Sequence, residues 1–495
     1  MVPEKKVSVV KNYLYSLSYQ LLLLIVPLIT MPYLARTLGI ENQGTFSILY
    51  AVSSCFVMFG CVGLNLYGQR EIAYCKNDIA LRNRVFWEIE ILRIFTLIIS
   101  LIAYFGFVWF NINVIGIVNV YNPLYFALFA VEIPSAMLDI SWYYQGIENF
   151  RLQTVRNFIV KLAGLVLILI FVKDTGDLWL YIVIYTGMNL LGNLSLWITK
   201  LSSDGFLAVD KSHFKVHLKR SVLMFLPQIA TTVYAQLDRV MIGGLVNDGN
   251  LQAGVYDNAE KIVKIALTVV TSIALVMLSR IATTYVKNDF EKAKEYIHSS
   301  FKLYMCLGMP IMFGIAAISG IFVERFFTDT PNAQLITPVI ILLCPIILFI
   351  GGSSVFGTQY LIPTNRIKPY TVSVFIGMIV NIIFNLMLIP SYGAAGAAIG
   401  TVIAEFSVLV VQMFVLRKQF SPMMYLHCWR NFLSGGIMYL CVVWTGKLID
   451  SSTLLSLIVQ ILVGVAVYFS LLLILRDRFV LKYADIIKHK ILKTK

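Results

Sequence analysis

Residues 12–37 read NYLYSLSYQLLLLIVPLITMPYLART, a run whose one formal charge, Arg36, sits next to its end. About 20 mostly apolar residues cross a bilayer as a helix, so this run is long enough to span. Pro27 and Pro32 interrupt it. Prolines are tolerated in a membrane helix when neighbours satisfy the freed backbone, and they kink it. The preceding MVPEKK has no small-residue cleavage site after it, so the run reads as a first membrane helix rather than a removed signal peptide.

The rest of the chain repeats this reading. About fourteen apolar runs follow one another, over approximately 12–37, 42–68, 84–110, 120–147, 151–172, 178–200, 219–245, 254–284, 296–320, 334–360, 368–390, 395–417, 430–447 and 453–475. Of 495 residues, 59% are hydrophobic and 13% charged, with a mean hydropathy of +0.80. Soluble domains run at about 45–50% apolar and about 25% charged, so a soluble fold is excluded, as is disorder. The runs are too long and too uniformly apolar for a membrane β-barrel. The expected fold is an all-α polytopic membrane protein.

The net charge of +14 reads as loop asymmetry rather than nucleic-acid binding. With the N-terminus inside, the inner connections hold Arg70, Lys76, Arg82, Arg84, Lys200, Lys211, Lys215, Lys219, Arg220, Lys287, Arg366, Arg417 and Arg430, while the outer ones hold little beyond Lys173, Arg325 and Lys447. Basic residues favour the cytoplasmic side, so both termini are expected there. The seven cysteines form no CxxC, which argues against a disulfide framework or a zinc site.

An internal repeat organises the chain. The first helix carries Pro27, then Arg36, then Gly44-Thr45-Phe46-Ser47; the seventh carries Pro227, then Asp238-Arg239, then Gly254-Val255-Tyr256-Asp257. Parallel repeats of this kind place a substrate path between two halves that rock against each other. The expected divisions are a six-helix half over 1–200, an amphipathic cytoplasmic joint over 201–217, a second six-helix half over 218–417, and two extra helices with a basic tail over 418–495. No connection apart from the joint and tail is long enough for an extramembrane domain.

Charges inside the membrane mark candidate sites, because each costs about 2.5–3.5 kcal/mol on insertion scales and faces a bundle interior or a watery cavity. On the eighth helix Asp257, Glu260, Lys261, Lys264, Thr268 and Thr271 share one stripe. Asp257–Lys261 and Glu260–Lys264 are i,i+4 pairs with the acid first, the favoured order. They line a cavity or form an ion-pair ladder between helices. Gln228, Thr231, Ala235 and Asp238 share a face of the seventh helix, with Arg239 adjacent. Arg36 lines a cavity or snorkels to outer headgroups. Glu132 and Lys161 fall at similar depth on neighbouring helices and suggest an ion pair. Glu90 and Arg93, three apart, suggest a local one. Glu405 stands alone in its segment, and Arg280 lies toward an inner helix end. There is no GxxxxGK[ST] and no HExxH, and His213 and His217 read as part of a basic surface strip rather than a metal site. An acidic pair in a sizeable outer loop, as a membrane glycosyltransferase would need, is absent, so an enzyme is disfavoured and no cofactor is expected.

Three stretches carry a resemblance: PLITMPYLARTLGIENQGTFSI in the first helix and its loop, QLDRVMIGGL with AGVYDNAEKI in the seventh and eighth, and NIIFNLMLIPSYGAAGAAIGTVIAE in the eleventh and twelfth. At this spacing the chain resembles the Wzx-type polysaccharide-biosynthesis flippases of the multidrug/oligosaccharidyl-lipid/polysaccharide exporter superfamily, over essentially its whole length. Fourteen helices fit that branch better than the twelve-helix drug extruders. The resemblance implies transport of a polyprenyl-diphosphate-linked oligosaccharide from the inner to the outer leaflet, for capsule, O-antigen or exopolysaccharide synthesis, in a bacterial or archaeal cell membrane. It implies alternating access through a cationic cavity, with Arg36, Arg239, Lys261 and Lys264 as substrate-binding residues. The family's cationic residue on the second helix has no counterpart here beyond Arg70 at the inner end. Asp238, Asp257, Glu260 and Glu132 are the acids that would hold these cations or bind a coupling H⁺ or Na⁺. The implied partners are the lipid-linked substrate, membrane lipid and polysaccharide polymerase machinery. The alternative within the superfamily is a cation-coupled multidrug antiporter.

Overall fold

The computed structural model describes Leu22 and residues 25–116, 122–203, 213–286, 289–420, 428–449, 454–477 and 479–481. Every regular element among them is helical. They form two compact units, Met1–Gly254 and Val255–Lys495.

The first unit opens with α1, residues 25–37, followed by α2 (Gly39–Cys61), α3 (Leu64–Tyr74) and α4 (Ile79–Phe110). The single run expected over 42–68 is broken between α2 and α3, where Val62 and Gly63 take φ values of 47° and 72°. Gly63 fits that left-handed conformation because it has no Cβ. Its missing side chain also makes room for the Ser221 carbonyl, which would lie 2.8 Å from a Cβ there. Asp78 starts α4 by accepting from the Leu81 amide at 3.0 Å, satisfying one of the helix's orphan donors.

The expected 120–147 run is three short helices, α5 (Pro123–Ala130), α6 (Glu132–Met137) and α7 (Ser141–Gly146). Pro134 removes a backbone donor, and the Asp139 carboxylate takes the Ser141 amide at 3.0 Å, turning the chain before α7. Then come α8 (Phe150–Phe171), α9 (Leu178–Ser203) and α10 (Phe214–Leu245). In α2, 67% of the most apolar window is buried inside the protein, against 6% in α8. The first is an interior helix and the second presents its apolar surface outward, as a lipid-facing helix does.

An aromatic cluster holds the end of this unit that the basic residues assign to the cytoplasm. Phe86 stacks on Trp142 at 5.5 Å. Lys200, an inner-connection lysine, is buried, with its amine 4.6 Å from the ring centres of both Phe86 and Tyr143 and donating to Asn83 Oδ1 at 2.9 Å. Cation–π contact with two rings offsets part of its desolvation. His217, expected on a surface strip, is buried instead against Glu88 of α4. The joint residues 204–212 lie outside the described residues.

α11 (Gly249–Val286) starts in the first unit and runs into the second, which continues with α12 (Phe290–Phe326), α13 (Ile336–Leu343) and α14 (Ile346–Ser353). The span expected over 334–360 bends by 43° at the break between Leu343 and Ile346, beside Pro345. α15 (Ile367–Leu416) is two spans joined by a kink at Gly393, with Pro390 just before it. A Cβ at Gly396 would lie 2.4 Å from the Leu388 carbonyl oxygen, and one at Gly400 2.3 Å from Asn385 Oδ1. The small residues therefore let the second arm fold closely onto the first. α16 (Trp429–Leu448) and α17 (Leu454–Ile474) pack on α12. There Phe313 meets Phe432 at 5.4 Å, and Tyr468 donates to Asn431 at 3.0 Å.

Among the described residues, eight helices are long and apolar enough to cross a membrane by themselves. Counting α15 as two arms and the bent pair as one, and adding α1, α10, α11 and α16, gives about 14 spans, the expected all-α polytopic architecture.

Candidate functional site

Gly44 and Gly254 act at one crossing within the first unit. A Cβ on Gly44 would fall 1.7 Å from the Asn250 carbonyl oxygen, and one on Gly254 would fall 2.0 Å from that of Ile40. Each glycine lets the other helix's backbone approach to contact. Gly44 and Gly254 thus fix the start of α11 against α2.

The charged stripe of α11 forms both expected ion pairs. Lys261 Nζ meets Asp257 Oδ2 at 2.5 Å, and Lys264 Nζ meets Glu260 Oε1 at 2.7 Å. The partners differ in environment. The Asp257 and Glu260 side chains are 6% and 5% exposed, those of Lys261 and Lys264 46% and 44%. Each acid is buried at the helix root and each amine emerges from the surface. Thr268 continues the stripe, returning its hydroxyl to the Lys264 carbonyl at 2.8 Å. Tyr256, named in the sequence only as part of the Gly254–Asp257 repeat, anchors this turn by bonding the Thr401 hydroxyl at 3.0 Å. Because Thr401 donates to Ala397, the tyrosine is the donor. The bond ties the base of the stripe to the second arm of α15.

In the first unit Asp238 is 2% and Arg239 8% exposed, and Arg239 Nη1 donates to the Ala235 carbonyl at 2.8 Å. Arg36 is exposed near the end of α1. Glu132 departs from expectation. Its carboxylate accepts from Asn189 at 3.0 Å, while the Lys161 amine lies 5.7 Å from the Tyr185 ring centre. Glu132 and Lys161 make no direct ion pair, although their charges lie near enough to attract each other: an amide from α9 bonds the acid and the lysine lies over an aromatic face. Glu90 and Arg93 do pair, through two bonds of 3.0 and 2.9 Å, and Arg93 also donates to Asn65 at 3.2 Å and to the Met137 carbonyl at 3.1 Å. Glu405 is buried on the second arm of α15. The side chains of Thr231 and Arg280 lie outside the described residues.

The chain belongs to the polysaccharide biosynthesis protein family, whose model matches residues 9–284. The model of the lipid II flippase MurJ matches residues 148–476. Together they place it among the polysaccharide flippases of the multidrug/oligosaccharidyl-lipid/polysaccharide exporter superfamily, the group its sequence resembles. A putative O-antigen transporter of Escherichia coli K12 is 23% identical over 429 residues, covering 83% of this chain and 98% of that protein. The fold is shared with a lipid II flippase MurJ solved in an inward closed conformation, at a TM-score of 0.71 and 17% identity over 94% of this chain and 99% of that one. It is also shared, at a TM-score of 0.55 and 13% identity, with a multidrug resistance MATE family transporter solved facing inward, over 84% of this chain and 98% of the other.

Proposed function

We propose that this protein carries a polyprenyl-diphosphate-linked oligosaccharide from the inner to the outer leaflet of the cell membrane by alternating access, for synthesis of a cell-surface polysaccharide. Lys261 and Lys264 bind the diphosphate, with Arg36 and Arg239 contributing charge during its passage. The observation that carries this reading is the polarity of the stripe: buried acids at the root, amines exposed at 46% and 44%. A diphosphate cannot enter hydrocarbon without charge-assisted partners, and the ammonium groups of Lys261 and Lys264 with the exposed Arg36 guanidinium supply them. Asp257 and Glu260 hold the amines when no substrate is present and take up the coupling cation, H⁺ or Na⁺, when the amines turn to phosphate. Outward movement of negative charge is favoured by an inside-negative potential, by about 2.3 kcal/mol per charge per 100 mV. The E. coli relative and the two family models favour a glycan lipid over a drug as cargo.

The test is a leaflet assay in proteoliposomes, following lipid-linked oligosaccharide as it becomes accessible to an impermeant probe. Protein-dependent appearance that is lost in Lys261→Ala supports both cargo and site. Appearance that survives Lys261→Ala and Lys264→Ala together discards the site. No movement of the glycan lipid, with counterflow of a cationic dye against H⁺ or Na⁺, overturns the cargo.

A further inference from the structure

α10 begins with an imidazole pair that the transport reading does not use. His213 stands at the N-cap position of the helix and His217 lies one turn on, so the two rings share a face. Both converge on one carboxylate of α4. His213 Nδ1 lies 3.3 Å and His217 Nε2 3.1 Å from Glu88 Oε2. One ligand atom from each of the three residues falls within 4.8 Å of the others. All three belong to the first unit.

The surroundings hold these groups in place. The far nitrogen of His217, Nδ1, lies 2.9 Å from the Tyr67 hydroxyl. When that nitrogen carries the proton and donates to Tyr67, Nε2 points its lone pair at Glu88 and the ring is fixed in place, as outer partners fix a ligating histidine. Glu88 Oε1 accepts from Arg84 Nε at 2.9 Å and lies 3.3 Å from His213 Nδ1, while Oε2 faces both imidazoles. Glu88 and His217 are buried, while the His213 side chain is 48% exposed. Two imidazole nitrogens and one carboxylate oxygen form a ligand set used by zinc. Imidazoles disfavour Mg²⁺ and Ca²⁺, which prefer all-oxygen sites.

We infer that Glu88, His213 and His217 bind a zinc-class divalent cation that staples the start of α10 to α4. The ion takes the position between the three ligand atoms and replaces their direct contacts. Its effect is mechanical: it fixes the first turn of α10, at the C-terminal end of the joint expected over 201–217. The inference does not depend on which substrate is carried.

The test uses full-length protein in detergent, with any affinity tag removed and metal stripped by chelator. Zn²⁺ is titrated by calorimetry, and Co²⁺ by its visible absorption. The expected result is one ion per chain, with the intense visible bands of low-coordinate Co²⁺. Tyr67→Phe, which touches only the outer partner, is expected to weaken binding by about tenfold, and His213→Ala by more than that. His213 is half exposed, so its replacement leaves the fold in place, which thermal unfolding of the stripped variant checks. Binding by wild type no tighter than by the His213→Ala/Glu88→Gln double variant, or no stoichiometric uptake at all, overturns the site. A melting temperature that follows pH but not zinc also overturns it, by assigning the cluster to a proton.

Discussion

Two helices each place acid and base one turn apart, with opposite outcomes. On α4, Glu90 and Arg93 are both 0% exposed and close on each other through two hydrogen bonds, with Asn65 and the Met137 carbonyl taking further guanidinium donors. On α11, Asp257 and Glu260 are equally buried, but Lys261 and Lys264 reach outward. A sealed pair spends all its donors inside the protein and has nothing left for a ligand. A half-open pair keeps its acid desolvated and its amine able to exchange partners. The difference lies in what surrounds each pair, since the sequence spacing is nearly the same.

The largest effect is expected where the pair is sealed. Arg93→Ala leaves the Glu90 carboxylate buried without its partner, at a cost of about 3–5 kcal/mol, read as a lower unfolding temperature in detergent. A paired replacement by apolar residues of similar volume, Glu90→Leu with Arg93→Met, is expected to recover most of that loss. If the single variant is as stable as wild type, the sealed pair does not hold the fold together.

On the half-open side the effect moves from stability to transport. Loss of one amine removes a charge-assisted bond to phosphate worth about 1.5–3 kcal/mol, so Lys261→Ala is expected to slow flipping by roughly 10- to 150-fold while the unfolding temperature stays near wild type. Lys261→Arg, which keeps the charge, is expected to retain most of the rate in the same assay. A large loss of stability in Lys261→Ala would erase the contrast with α4.

Next comes the crossing of α2 with the start of α11. Gly44→Ala forces a methyl to within 1.7 Å of the Asn250 carbonyl unless the backbones separate. The expected destabilisation is that of an overpacked core, about 1–3 kcal/mol, with a fall in transport. Thermal unfolding beside the leaflet assay checks both. The smallest effect belongs to Asp257→Asn. With its lysine half exposed, the pair contributes at most about 1 kcal/mol to stability, so the melt is expected to move little. A change in the pH or Na⁺ dependence of transport would sharpen the assignment of Asp257 to the coupling cation.

Much of this was legible in the chain. Apolar run length and basic loop residues gave the helices and their expected orientation, and the acid-first spacing of Asp257–Lys261 and Glu260–Lys264 gave two real ion pairs. The reading went astray where a partner comes from far along the chain. Glu132 and Lys161 match in depth, but depth does not specify which side chain arrives, and Asn189 does. His217 sits among lysines in sequence, yet its environment is set by Tyr67 and Glu88, which are 150 and 129 positions away. Lys200 looked like an inner-surface cation and is enclosed by aromatic rings from α4 and α7.

The sequence by itself determined that this is a many-span helical membrane protein, because the cost of exposing backbone polar groups to hydrocarbon leaves a long apolar run little choice but helix. It also determined which charges would be neighbours on one helix, because 3.6 residues per turn fixes that locally. Only the tertiary structure decided which of those charges are sealed and which stand open, and which distant residues meet at Glu88. Burial and long-range pairing depend on how separate helices pack, and no spacing within one helix encodes that.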